Sequence, residues 1–252
     1  MVNPDWRLLE DCGGLIEEIA IALPPHLLDG GDMTDGEILG ALQNLAASFH
    51  ADMRLILLTE ERSRAKAERC MASAGMKAAV EIISVPNGDM HPTAFWIQDS
   101  FHVRYCGQER RLDHARSENA GRHAEWFGSR LGVPTGIFDL HLAGGNQLVG
   151  PDFRLVGFRS IELSALAAND SDACGLIRDI DPRPLHVFGF RASDLSAASL
   201  PHRRSAPHQT GFHIDMSVSL TGKQREGQPI IVVADPLSPT HPDTAQVVNA
   251  KR

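Results

Sequence analysis

Cysteine is scarce and scattered. The four residues Cys12, Cys70, Cys106 and Cys174 stand 58, 36 and 68 positions apart, which excludes the close spacing of a metal finger or a redox pair. Reduced thiols in a reducing compartment are the expectation. Positive charge is short as well: 24 Lys and Arg against 32 Asp and Glu leave a net charge of −8, which argues against general nucleic-acid binding and suits a cationic substrate better. Long apolar runs are missing. Nothing approaches the roughly 20 apolar residues that span a bilayer, and "MVNPDWRLLEDCGG" has neither a basic nor an apolar leader region. A soluble cytoplasmic protein without membrane partners is expected. The H-E-x-x-H, G-x-S-x-G and G-x-G-x-x-G patterns are absent, so zincin, hydrolase-elbow and dinucleotide readings have no support. "LTGKQ" is not the end of a P-loop, because Gln224 stands where Ser or Thr is needed and Ser217 where the first glycine belongs. No acidic loop has calcium-ligand spacing. Neither a metal nor another cofactor is expected.

What is present reads as a mixed α/β chain with enough apolar residues, 42%, for a sizeable core. Residues 1–50 read as an N-terminal helical segment: Leu15, Ile16, Ile19, Ala20 and Leu23 recur at helical spacing before Pro24 and Pro25, and Thr34 offers a cap to the run that follows. Residues 51–252 read as a second domain. "MRLILLTEE" suits a buried strand, "ERSRAKAERCMASAG" a helix closing on Gly75, and "AAVEIISVP" and "AFWIQDSFHVRY" two more strands. Helix "ENAGRHAEWFGSRLG" and strands "PTGIFDLHLAGG" and "FRLVGF" follow, then a helix near residues 160–178 and strands "PLHVFGF", "FHIDMSVSL" and "QPIIVVADP". The units recur every roughly 45 to 70 residues. "SDLSAASLPHRRSAPHQT" reads as one long surface loop.

Three stretches carry residues suited to chemistry: "FWIQDSF", "HLAGGNQLVG" and "GFHIDMSV". Asp99 lies among Phe95, Trp96 and Phe101, as a partly desolvated carboxylate or as an ordinary turn aspartate. Gly144, Gly145 and Asn146 would let a ligand approach the main chain closely, or simply make a hairpin turn. In a strand, His213 and Asp215 share one face, with Phe212, Ile214 and Met216 on the other. That is a site or a solvated edge. If equivalent strand ends of the units point inward around an axis, Asp99, Asn146, His213 and Asp215 converge on one pocket.

Taken in this order, the stretches resemble the motifs of the guanidino-modifying superfamily, which has the pentein fold, a five-bladed α/β-propeller of ββαβ-like units. Trp96, Gln98 and Asp99 are similar to its tryptophan-x-(arginine or glutamine)-aspartate motif. The glutamine is nearer to the peptidylarginine deiminase form. Gly144-Gly145-Asn146 is similar to its Gly-Gly-Asn turn, and His213 and Asp215 to its histidine-x-aspartate motif. The resemblance implies that Asp99 and Asp215 clamp a planar guanidinium through charge-assisted hydrogen bonds, with His213 as general acid and base and Trp96, Gln98, Gly145 and Asn146 at the substrate. It implies a small-molecule or peptidyl guanidino substrate: arginine, peptidyl-arginine or agmatine. In the family a cysteine thiolate attacks the guanidinium carbon, ammonia leaves and water releases a ureido product.

The sequence departs from the family in three places. Phe212 separates Gly211 from His213, Ala143 stands where many relatives carry an acid, and no cysteine follows Cys174. Cys174 itself lies in "SDACGLIRD", outside any family motif. About three units are legible where a closed propeller needs five. A deiminase-type hydrolase that is C-terminally incomplete and lacks its nucleophile is therefore the leading expectation. Amidino transfer on the same scaffold and non-catalytic binding of arginine-like ligands or a protein partner are the alternatives.

Overall fold

The strand "RLILLTE" shows how this chain builds its layers. Its apolar residues are continuous because both faces are covered, as in the middle of a parallel sheet. The computed structural model describes residues 5–30, 33–115, 120–168, 172–189, 213–216 and 218–233, and these fall into two compact units. One comprises Asp5–Leu9 and Gly14–Gly144; the other holds Glu10–Gly13 and the described residues from Gly145 onward.

The first unit begins with β1 (Arg7–Leu8), β2 (Glu18–Leu23), the short α1 (Pro25–Leu28) and α2 (Met33–Ala47). β3 (Arg54–Glu60), α3 (Arg64–Ser73) and β4 (Ala79–Val85) follow. Strands β2, β3 and β4 pair in parallel in that order. Alternation along β3 splits the core in two. Leu55 and Leu57 pack with Ile21, Leu23, Leu27 and Met71 on one side of the sheet. Ile56 and Leu58 pack with Ile83, Val85, Leu112 and Phe127 on the other. The second sheet of this unit contains β5 (His102–Cys106), β6 (Glu109–Ala115) and β7 (Thr135–Phe138), with α4 (Ala120–Leu131) crossing between β6 and β7. Its order is β1-β5-β6-β7, with β5 and β6 antiparallel and β6 and β7 parallel.

The other unit repeats that ββαβ topology. β8 (Gln147–Val149) and β9 (Arg154–Gly157) form an antiparallel hairpin; α5 (Phe158–Ala168) and α6 (Ala173–Asp179) then lead to β10 (Leu185–Phe188), which is parallel to β9. β11 (Val218–Arg225) and β12 (Gln228–Val233) make a further antiparallel hairpin. At the start of β9 the guanidinium of Arg154, fully buried, donates to the carbonyls of Ile177 (3.1 Å), Arg178 (2.9 Å) and Asp181 (3.0 Å), which ties the end of α6 to the sheet.

Four sequence expectations are corrected. Leu15–Leu23 does not form a helix: Glu18–Leu23 is a strand in register with Arg54–Thr59. Its run of five apolar residues fits either period, and pairing with β3 decides. Within residues 1–50 the helices are therefore α1 and α2. The single helix expected near residues 160–178 is two, α5 and α6, and Asp172 accepts a hydrogen bond from the Gly175 N–H (3.0 Å) at the start of the second. Trp96–Asp99 is not strand: Pro92–Phe95 and Ile97–Asp99 are 3-10 turns that precede β5. His213 and Asp215 are not on a strand either. Ile214–Met216 is a 3-10 turn and the strand begins only at Val218. Residues 193–210, read as a loop, lie outside the described residues, as does Phe212. Among the described residues no helix is long and apolar enough to cross a membrane.

Candidate functional site

The turn carrying Asp99 is an exposed stretch held between buried anchors. Ala94 (3% exposed) and Ser100 (6%) flank it, while Trp96 is 59% exposed and Asp99 half-buried. The main chain closes it locally, the Asp99 N–H donating to the Trp96 carbonyl (3.0 Å) and the Ser100 N–H to that of Ile97 (2.9 Å). Gly144 presses on it from another side. A Cβ at this position would stand 1.9 Å from the Gln98 carbonyl oxygen, so only glycine lets the two main chains come this close. The "FWIQDSF" and "AGGN" stretches, distant in sequence, are thus in direct contact. Beside them His102 donates from Nε2 to the Leu142 carbonyl (3.0 Å). Burial lowers the pKa of His102, and the charges of Asp113 and Asp99 only partly offset this.

In the other unit Gly145 plays the same part toward His213 and Asp215. A Cβ there would lie 2.8 Å from His213 Nδ1 and 2.9 Å from Asp215 Oδ2. Next in the chain, Asn146 is buried, donates from Nδ2 to Ser160 Oγ (2.6 Å), and has no partner for Oδ1 among the described residues. Ile214, fully buried with Leu148 and Val218, pegs the turn into an apolar cluster. Its neighbours His213 and Asp215 are both half-buried. The in-and-out alternation expected of a strand therefore survives in a backbone that is not one. His213 adopts φ +50°, the left-handed region that side chains other than glycine occupy at a cost. Its Nδ1 lies 4.0 Å from Asp215 Oδ1, within ion-pair range when the imidazole is protonated.

Asp11 belongs to this unit and no motif pointed to it. Its N–H donates to the Val149 carbonyl (2.8 Å), and its Oδ2 accepts the Val149 N–H (2.6 Å), so both polar main-chain groups of Val149 are met by one residue. The residue as a whole is exposed, yet its carboxyl is turned into the protein. Burial pushes it up to about 6; the Val149 N–H and Arg183 pull it down and the Asp215 charge pushes it further up. The only sequence signal was an acid in a polar segment, which is no signal at all.

Trp96, Gln98 and Asp99 thus lie on one turn of the first unit, and Gly145, Asn146, His213 and Asp215 cluster in the second. Among the described residues no group of three or more His, Cys, Asp or Glu has a geometry that could hold a metal ion. The four cysteines are free. Burial raises the thiol pKa of Cys12 and of Cys70, the opposite of what activates a nucleophile.

No protein-family model matches this sequence, and no curated protein does. Solved structures do. The agmatine deiminase of Enterococcus faecalis superposes with a TM-score of 0.60 at 12% identity, over 86% of this chain and 60% of its own. A cysteine-to-serine variant of the agmatine deiminase of C. jejuni, with substrate bound, gives 0.59 at 12% identity, over 84% and 61%. A structure described as a peptidyl-arginine deiminase gives 0.56 at 11% identity, over 84% and 62%. The chain spans about three fifths of the length of these neighbours. At such identities what is shared is the fold: the chain is built on the α/β pentein fold of the guanidino-modifying deiminases, over the part of them that it spans.

Proposed function

We propose that this chain binds a guanidino group and works in a deiminase-type hydrolysis, with Asp99 and Asp215 as the carboxylate clamp and His213 as proton donor and acceptor. The observation that carries the reading is the pair of glycines: Gly144 packs on the turn of Asp99, and its neighbour Gly145 lies against His213 and Asp215. A guanidinium is flat, permanently charged and edged with N–H donors, so two carboxylates suit it and a further cation would not. Trp96, the most exposed aromatic side chain on the Asp99 turn, offers an indole face to such a cation. Gln98, Gly145 and Asn146 line the substrate in this reading. The net charge of −8 favours a cationic ligand. Agmatine, free arginine and peptidyl-arginine all carry the required group, and the neighbour with bound substrate favours a small molecule.

In the hydrolytic reaction a thiolate adds to the guanidinium carbon. The C–N bond then breaks as His213 protonates the departing nitrogen, which leaves as ammonia. Water attacks the resulting thiouronium carbon and yields a proton to His213; the C–S bond breaks, giving the ureido product and the free thiolate. No cysteine follows Cys174 in this chain, and Cys174 Sγ accepts a hydrogen bond from Arg178 Nη2 on its own helix (3.9 Å). The chain therefore contributes the clamp and the acid–base group, and no thiol of its own is assigned as nucleophile. A second reading is non-catalytic binding of an arginine-like ligand, and amidino transfer would use the same clamp.

Calorimetric titration with agmatine, arginine and an arginine-containing peptide tests the clamp. Asp99→Asn and Asp215→Asn are each expected to weaken binding by about tenfold to a hundredfold, as the loss of a charge-assisted pair does. No binding by the unaltered chain, or binding indifferent to both changes, overturns the reading. A ureido-product assay then separates the two: product that disappears in His213→Ala supports the hydrolase, and binding without product supports the binder.

A further inference from the structure

The residue after Asp99 is turned inward. In a 3-10 turn successive side chains stand about 120° apart, and while Asp99 is half-buried, Ser100 is 6% exposed. Ser100 Oγ and Nδ1 of His123, on α4, share a hydrogen bond of 2.8 Å, and His123 is 2% exposed. The next pair along the same two elements also touches, Phe101 against Phe127 with ring centroids 5.4 Å apart. His123 in turn lies against Trp126 at 5.6 Å. The turn has no side-chain cap at its start.

We propose that Ser100 and His123 form a positioning pair that fixes where the Asp99 carboxylate points, an assignment that rests on reading Asp99 as a guanidinium ligand. The anchor is neutral, which is what the site requires. Burial lowers the pKa of His123 to about 4, helped by the nearby His91, so the imidazole carries no charge at neutral pH. An arginine or lysine in its place would order the turn equally well but would compete with the ligand for Asp99. A buried neutral hydrogen bond supplies order without placing a further charge beside Asp99. With Gly144 packed on Gln98, the turn is gripped at positions 98 and 100, on either side of the carboxylate.

The pair acts through Asp99, so a double-mutant comparison tests it. Agmatine titration of Ser100→Ala is expected to show binding weakened by about tenfold. Ser100→Thr keeps the hydroxyl, and His123→Asn puts an amide group near the place of Nδ1; both are expected to stay within about threefold of the unaltered chain. In an Asp99→Asn background, Ser100→Ala is expected to cause no further loss. Should Ser100→Ala not fold, Ser100→Cys carries the same comparison. Binding by Ser100→Ala equal to that of the unaltered chain, or an equal loss with Asp99 already removed, overturns the proposal. Absence of agmatine binding by the unaltered chain overturns the guanidinium reading itself, and this role falls with it.

Discussion

Two short 3-10 turns each carry an aspartate of the candidate site, and they are held by opposite means. The Asp99 turn is gripped by polarity and by close approach: a buried hydroxyl–imidazole bond behind it and the bare main chain of Gly144 across Gln98. The Asp215 turn is held by an apolar peg, Ile214 sunk among Leu148 and Val218, and is bent by a histidine in left-handed backbone. The difference teaches that a half-buried carboxylate can be held in place by a buried neighbour in the chain, whether that neighbour is polar, as Ser100 is, or apolar, as Ile214 is.

The harshest way to break the comparison is Gly144→Ala. The clash is with main chain, which cannot step aside, and a loss of about 3 kcal/mol or failure to fold is expected in chemical denaturation. Gly145→Ala meets side-chain atoms of His213 and Asp215 instead, so its expected signature is the reverse: stability changed by less than about 1 kcal/mol and agmatine binding impaired. Removing the apolar peg comes next. Ile214→Ala should cost about 2–4 kcal/mol, the usual range for a buried isoleucine whose site cannot fully collapse.

Acid separates the two units by sign. His123 titrates at about 4 in the folded protein against 6.5 for an ordinary imidazole, so as pH falls the unfolded chain takes up its proton first. Stability is lost between about pH 6.5 and 4, by about 3 kcal/mol, and His123→Asn should flatten that slope. Asp11 runs the other way. Its folded pKa of about 6 lies above the ordinary 3.8, so the folded state keeps its proton longer and its contribution falls as pH rises through that window. Denaturation at pH 7 and 4.5 of His123→Asn and Asp11→Asn reads both slopes. The smallest effect concerns the bent backbone. His213→Gly should be more stable than His213→Ala by about 1 kcal/mol, because only glycine takes φ +50° freely.

Much of the architecture was legible in the sequence. The strands β3 and β4 and the helices α2, α3 and α4 follow from apolar spacing and from breakers such as Gly75, whose φ of +67° closes its helix. β2 was misread because five consecutive apolar residues fit a helix face as well as a strand. The turns at Ile97–Asp99 and Ile214–Met216 were misread because three residues are too few to display a period. Their burial nevertheless alternates as a strand's would. The motif residues proposed for the site stand out in the sequence, but the contacts around them do not: nothing local marks His123 as the partner of Ser100 or brings Asp11 beside Val149, since both contacts are made by residues far apart in the chain.

Arg154 gives this fold a guanidinium of its own, sealed from solvent and met by three carbonyl oxygens at and beyond the end of α6. Lysine would keep the charge yet fail as a replacement, for an ammonium gathers its donors on one nitrogen and cannot span acceptors so widely separated. A substitution that preserves formal charge at this position would therefore unfasten a helix from its sheet.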